Sequence, residues 1–203
     1  GLILLSILAH KSPEKEFKKQ IISFLGTCEN LFNQFDTNKP WTEKGRDISL
    51  AAKKELFNDF KMSSLWGSTL NYERTTTNDK NKVDTLLSSI VNIIFRIDAL
   101  TEASQQFEDD SIFPSIKEKG QEMRSTIVDE FSMLKSSISS GEQVPKFTDL
   151  SEIIKLIRAD LEVIRNKHEI DTKENEIGVN LLLTAGFYQS LASSLSECRD
   201  SVN

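Results

Sequence analysis

The residues best equipped for chemistry in this chain are Cys28, Cys198, His10 and His168, and their spacing assembles none. Zinc and catalytic sites draw such residues from tight patterns, Cys-x-x-Cys or His-Glu-x-x-His, that place ligands on one helix face or one turn. Neither pattern occurs. Each cysteine falls on an apolar stripe, where a thiol acts as a small buried hydrophobe, and a reducing compartment would leave both as free thiols. His168-Glu169 closes a predicted helix, a position where an imidazole complements the C-terminal dipole. Gly26, Gly45, Gly67 and Gly120 stand alone rather than in a phosphate-cradling loop, and no serine sits in a Gly-x-Ser-x-Gly elbow. Glu108-Asp109-Asp110 reads as a solvated turn, and Glu174 and Glu176 as first-turn acids. Paired carboxylates need a buried setting to separate their acid and base roles, and none is legible. The expectation is a protein that is not an enzyme, with no cofactor, no metal site and no catalytic residue.

Trp41 and Trp66 are the remaining candidates. One follows Lys39-Pro40 at a helix entrance and the other precedes Gly67 near a helix end. At bundle ends an indole either covers the core or touches a partner or membrane surface; both readings stand for both residues.

The elements that would carry these residues are helices. Four prolines and eight glycines in 203 residues leave few breakers, which favours long helices over many short strands. Six segments show apolar residues at 3- and 4-residue steps. The first spans about Pro13 to Phe35, with Ser12 as cap, Pro13 at the first helical position and Glu14 and Glu16 facing the positive dipole. Its stripe is Phe17, Ile21, Phe24, Leu25, Cys28, Leu31, Phe32 and Phe35. The second, about Thr42 to Leu70, is the least regular and rests on Ile48, Ala51, Ala52, Leu56, Phe57 and Phe60. A polar turn is expected over Thr75–Lys82. The third, Val83 to Phe107, is the most apolar and is expected at the centre. The others run from about Pro114 to Ile138, Asp149 to His168 and Lys173 to Val202, with a loop over Ser139–Pro145. Short connections favour antiparallel neighbours. The predicted fold is all-α, an elongated antiparallel bundle of about six helices.

Ahead of the bundle stands a different kind of sequence. Leu2, Ile3, Leu4, Leu5, Ile7 and Leu8 form an apolar run, and Lys11, Lys15, Lys18 and Lys19 follow it. A bilayer core takes about 20 apolar residues, so this run is too short to span one. Residues 1–11 read as the end of a membrane-spanning helix or an apolar anchor, and 12–203 as a helical soluble domain. The lysines would lie at the membrane interface, in the pattern that marks the cytoplasmic side of an inner or plasma membrane. A signal-peptide core would carry its positive charge before the run and a small-residue cleavage site after it; Leu8-Ala9-His10 fits poorly. A buried N-terminal helix is the third reading. A formal charge of −6 argues against a nucleic-acid partner.

Leu2 to Ala9, then Pro13-Glu14-Lys15-Glu16-Phe17, then Phe24-Leu25-Gly26-Thr27-Cys28-Glu29-Asn30-Leu31, and the apolar helix ending Arg96-Ile97-Asp98-Ala99-Leu100-Thr101-Glu102-Ala103 together form a layout. It resembles the soluble domain of the fusaric-acid-resistance-like (FUSC-type) transporter family, related to aromatic acid exporters. The resemblance covers most of the chain in layout, with helical stripes as its motifs, and carries over no site residue. It implies a cytoplasmic part of a multi-spanning exporter of aromatic carboxylic acids or similar small anions. The implied role is assembly or gating, with the membrane and either other copies or the same protein's membrane domain as partners. Two alternatives are an extracytoplasmic sensory bundle of a membrane receptor and a soluble scaffold that binds partner helices.

Overall fold

The computed structural model describes residues 12–35, 42–73, 77–104, 114–167 and 172–202. Among them are six helices and no strand: α1 (Pro13–Gln34), α2 (Glu43–Glu73), α3 (Thr77–Ser104), α4 (Pro114–Ser140), α5 (Ser151–Lys167) and α6 (Thr172–Val202). The chain is an all-helical bundle.

α1 begins as its sequence dictates, with Pro13 in the first turn beside Glu14 and Glu16. Ser12 supplies its carbonyl to the Glu16 amide at 3.1 Å, but its side chain makes no capping bond, contrary to the expected cap. The stripe turns wholly inward. Of the twelve largest fully buried side chains, Ile21, Phe24, Leu25, Leu31 and Phe32 come from α1 and three from α3. The most enclosed helix is therefore α1 rather than the expected third segment. α3 is richer in apolar residues, yet Phe95 points outward at 62 % exposure.

Two further expectations are corrected. The polar turn over Thr75–Lys82 is helical from Thr77 onward, so the polar residues there belong to the first turns of α3. On α2 the inward stripe is Leu56, Asp59, Ser63, Trp66 and Leu70, whereas Ala51 and Phe57 face outward. Three polar residues inside, Ser49, Asp59 and Ser63, and an aromatic outside account for that segment's irregular pattern.

Pairings across the bundle fix its directions. Ser23 meets Asp59, and Phe17 lies beside Gly67. Lys53 meets Asp98, while Gly67 approaches Val83 and Leu87. Glu29 pairs with Lys135, and Phe32 with Phe131 and Tyr188. Lys119 meets Asp160, and Leu161 meets Gly178. Each successive helix thus reverses the one before. α1, α2, α3, α6 and α4 close a ring in that order, and α5 packs outside it on α4 and α6. α4 and α6 are ring neighbours that run in the same direction.

Two local features hold this arrangement. At Gly67 a Cβ would come within 2.9 Å of Leu87 Cδ1 and 3.2 Å of Val83 Cγ1, so α2 crosses α1 and α3 closely where no side chain intervenes. Gly141, at φ +76°, ends α4 in the left-handed conformation glycine tolerates, with its amide on Ser137 O at 2.8 Å. The following segment forms a strap, Val144–Leu150, that buries Val144, Phe147 and Leu150. Asp149 Oδ1 then accepts the Ser151 amide at 2.9 Å and opens α5.

Candidate functional site

The N-terminal end of α1 shares one end of the bundle with the N-terminus of α3 and the C-termini of α2, α4 and α6. A cavity of about 330 Å³ opens there. Phe17, Ile21, Leu86 and Val202 give it apolar walls, and Lys18 and Lys82 add cations. Lys15, Lys18 and Lys19 are exposed on the first turns of α1, and Lys18 pairs with Glu14 at 3.0 Å. That i,i+4 pair is solvated, so its effect on stability is small. Leu2, Ile3, Leu4, Leu5, Ile7, Leu8, Lys11 and Trp41 lie outside the described residues, as do His10, His168 and Glu108–Asp110. The structure therefore places three of the four lysines that the sequence suggested for a membrane interface at one bundle end.

Trp66 is only 4 % exposed and packs in the core. It is no surface contact as the structure stands: of its two readings, the one that covers the core is observed. Its indole Nε1 has no hydrogen-bond partner.

The thiols are equally withdrawn. Cys28 and Cys198 are free and fully buried. Burial raises the Cys28 thiol well above its ordinary range, and the nearby Asp59 carboxyl and Cys198 push the same way. Burial alone lifts Cys198 to about 12. Only a thiolate is a nucleophile or metal ligand, so neither residue is armed. No group of three or more metal-ligating side chains occurs among the described residues.

Two buried carboxyls escape the sequence reading. Asp59 accepts the Ser23 hydroxyl at 3.3 Å and the Thr27 hydroxyl at 3.4 Å. Desolvation raises its affinity for a proton, opposed by the Ser23 bond and helped by Glu55. Glu130, on α4, is 1 % exposed, and neither carboxylate oxygen completes a hydrogen bond. Desolvation lifts it to about 8, against the pull of the Thr148 backbone N–H and the Arg199 charge, with Asp129 adding repulsion. A signal for both lies in the spacing. Asp59 follows Leu56 by three and precedes Ser63 by four; Glu130 follows Ile127 by three and precedes Leu134 by four. An acid at a stripe position is an acid aimed at the core.

No family model, curated protein or solved structure matches this chain.

What the arrangement offers is polar control rather than bond making. Among the described residues no nucleophile stands beside a base, while the Asp59 carboxyl, which ties α2 to α1 through Ser23 and Thr27, and interhelical ion pairs bind helices together. Lys53–Asp98 at 2.5 Å joins α2 to α3, Lys119–Asp160 at 2.6 Å joins α4 to α5, and Lys135–Glu29 joins α4 to α1. No helix among the described residues is long and apolar enough to cross a membrane.

Proposed function

We propose that this chain is the cytoplasmic helical domain of a multi-spanning membrane exporter of aromatic carboxylic acids or similar small anions, working in assembly or gating. The observation that carries this reading is the entry to the bundle. The apolar run Leu2–Ala9 and Lys11 lead directly into a helix whose first turns expose Lys15, Lys18 and Lys19. That order of apolar and cationic residues is what a membrane–water boundary selects. Five helix termini share that end, so a displacement of a membrane helix there would reach most of the bundle at once. The resemblance in layout to FUSC-type exporters supports the substrate class.

The test is export. Cells carrying the full-length protein, or the protein lacking residues 13–203, are loaded with a panel of aromatic acids, and intracellular accumulation is compared. Higher accumulation with the truncated protein, whose membrane spans still insert, supports the reading; equal accumulation across the panel overturns it. Reversing the charges of Lys11, Lys15, Lys18 and Lys19 should disturb topology or assembly and leave substrate choice alone.

A second reading, a scaffold for partner helices, has its own observation. Asp149 bonds to Gln189 and Leu161 touches Gly178, which sets the register of α5 against α6. On these two packed helices Leu156, Val163, Val179 and Leu183 are each about half exposed. Exposed apolar side chains are common at interfaces.

A further inference from the structure

Five helices wall the cavity of about 330 Å³ at the α1 entry end, a volume at the lower end of the about 300–1,000 Å³ typical of small-molecule sites. Ile21, Leu70, Val83, Leu86, Ile138 and Val202 make those walls mainly aliphatic, beside the ring of Phe17. Ile138 and Val202 stay partly exposed although they pack against the core, so apolar surface is left for a ligand to cover. Two polar groups accompany it. Ser137 lines the cavity at 8 % exposure. Ser139 and Ser201 turn their hydroxyls back to the carbonyl four residues earlier, whereas the Ser137 hydroxyl donates to no group among the described residues. Lys82, in the first turns of α3, is exposed and makes no ion pair among the described residues.

We propose that this cavity binds an aliphatic monocarboxylate of medium chain length. The acyl chain covers the aliphatic walls, Lys82 supplies the counter-charge to the carboxylate, and Ser137 supplies a hydroxyl donor. Hydrogen bonds to an ionised group are the strong ones, and the flexible four-carbon stem of a lysine lets its ammonium follow the ligand.

The other charges of the lining set the selectivity. Glu14 and Lys18 satisfy each other at 3.0 Å. Glu142, just past the end of α4, is exposed. With Lys18 committed and an exposed acid present, the lining has a counter-charge for one carboxylate and none for a second. A dicarboxylate of the same length is therefore disfavoured. An alcohol forgoes the attraction of Lys82, and an alkylammonium is repelled by it. The site goes beyond the exporter reading and does not depend on it: binding is read on the chain itself, so either can fail while the other stands.

The test is methyl NMR of the 203-residue chain titrated with octanoate below its micelle-forming concentration, and in parallel with octanol, octylammonium, octanedioate and naphthoate. Octanoate should shift the methyls of Ile21, Val83, Leu86 and Val202 saturably and leave those of Leu156 and Leu183 on α5 and α6 unmoved. Lys82→Ala should weaken binding by about tenfold, the loss of one charge-assisted bond, and Ser137→Ala should weaken it less. Unchanged melting of the ligand-free variants checks that both fold. Octanol, octylammonium and octanedioate should each bind about tenfold more weakly than octanoate. Any of the three matching octanoate overturns the proposal, and naphthoate binding more tightly overturns the acyl assignment. Shifts that do not saturate, that appear equally at Leu156 and Leu183, or that survive Lys82→Ala undiminished overturn it too. Should a variant fail to fold, the ligand series on the wild-type chain decides.

Discussion

At the scale of single residues, burial decides chemistry in this protein. Cys28 and Cys198 carry the side chains most often assigned reactivity, yet both are fully covered with thiols driven toward the protonated form. Ellman's reagent at pH 8 should therefore leave the folded chain unmodified over minutes and react with both thiols in denaturant. Rapid labelling of folded protein would show that α1 or α6 opens far more readily than its packing indicates. Glu130 sets a pH dependence whose sign follows from its direction. In the unfolded chain it ionises near the ordinary 4.5; in the folded chain it does so at about 8. Between those values the folded state holds a proton that the unfolded state has released, so its contribution to stability falls as pH rises and levels off above about 8. Urea unfolding of wild type and Glu130→Gln at pH 5 and pH 8 checks this: the wild type should lose stability over that interval relative to the glutamine variant. Raised proton affinity at Asp59 acts in the same sense.

At the scale of elements, the six helices are readable from 3- and 4-residue spacing because each must bury a stripe. The boundaries of α1, α5 and α6 lie within two residues of those the spacing predicts. α2 is harder to read. Its inward face carries Asp59 and Ser63, and a face assigned by hydrophobicity alone rotates toward Phe57 and Ala51. The start of α3 escapes the spacing because Thr77–Lys82 is polar, and a helical turn without apolar residues shows no 3- and 4-residue apolar step. Tertiary proximity is not legible at all: nothing in the sequence tells that Gly67 lies against Val83 and Leu87. That contact gives a prediction. Gly67→Leu should destabilise by about 1–3 kcal/mol, the usual cost of overpacking, seen as a lower melting temperature. An unchanged melt would mean that α2 and α3 separate at no cost. Gly26, where a Cβ would meet nothing within 4 Å, is the matched control, and Gly26→Ala should stabilise through helix propensity.

For the whole molecule, the aromatic contacts of Phe32 show how separate helices share one core. Its ring meets Phe35 at 5.8 Å, Phe131 of α4 at 5.9 Å and Tyr188 of α6 at 6.2 Å. Phe32→Ala should cost about 3–5 kcal/mol and should lower a single unfolding transition rather than split it. A split transition would reveal that α4 and α6 unfold independently of α1–α3. Ile93→Asp, which buries an unpaired charge in α3, should prevent stable folding; a native melt would show that the α3 face is wetter than its burial implies.

The ring of α1, α2, α3, α6 and α4 has an odd number of members, and arrows that alternate up and down cannot alternate all the way around an odd cycle. One pair must match, just as one bond must go unsatisfied in a five-membered ring of antiferromagnetic spins. That mismatch falls at α4 and α6, where two helix dipoles lie side by side in the same sense, the less favourable arrangement. Parallel neighbours also cannot be joined by a tight turn, so the chain must travel back before it can complete the circle. α5 is that return journey, and it lies antiparallel to both members of the mismatched pair. The sparsest seam of the ring and the one described helix outside it are thus two results of the same parity.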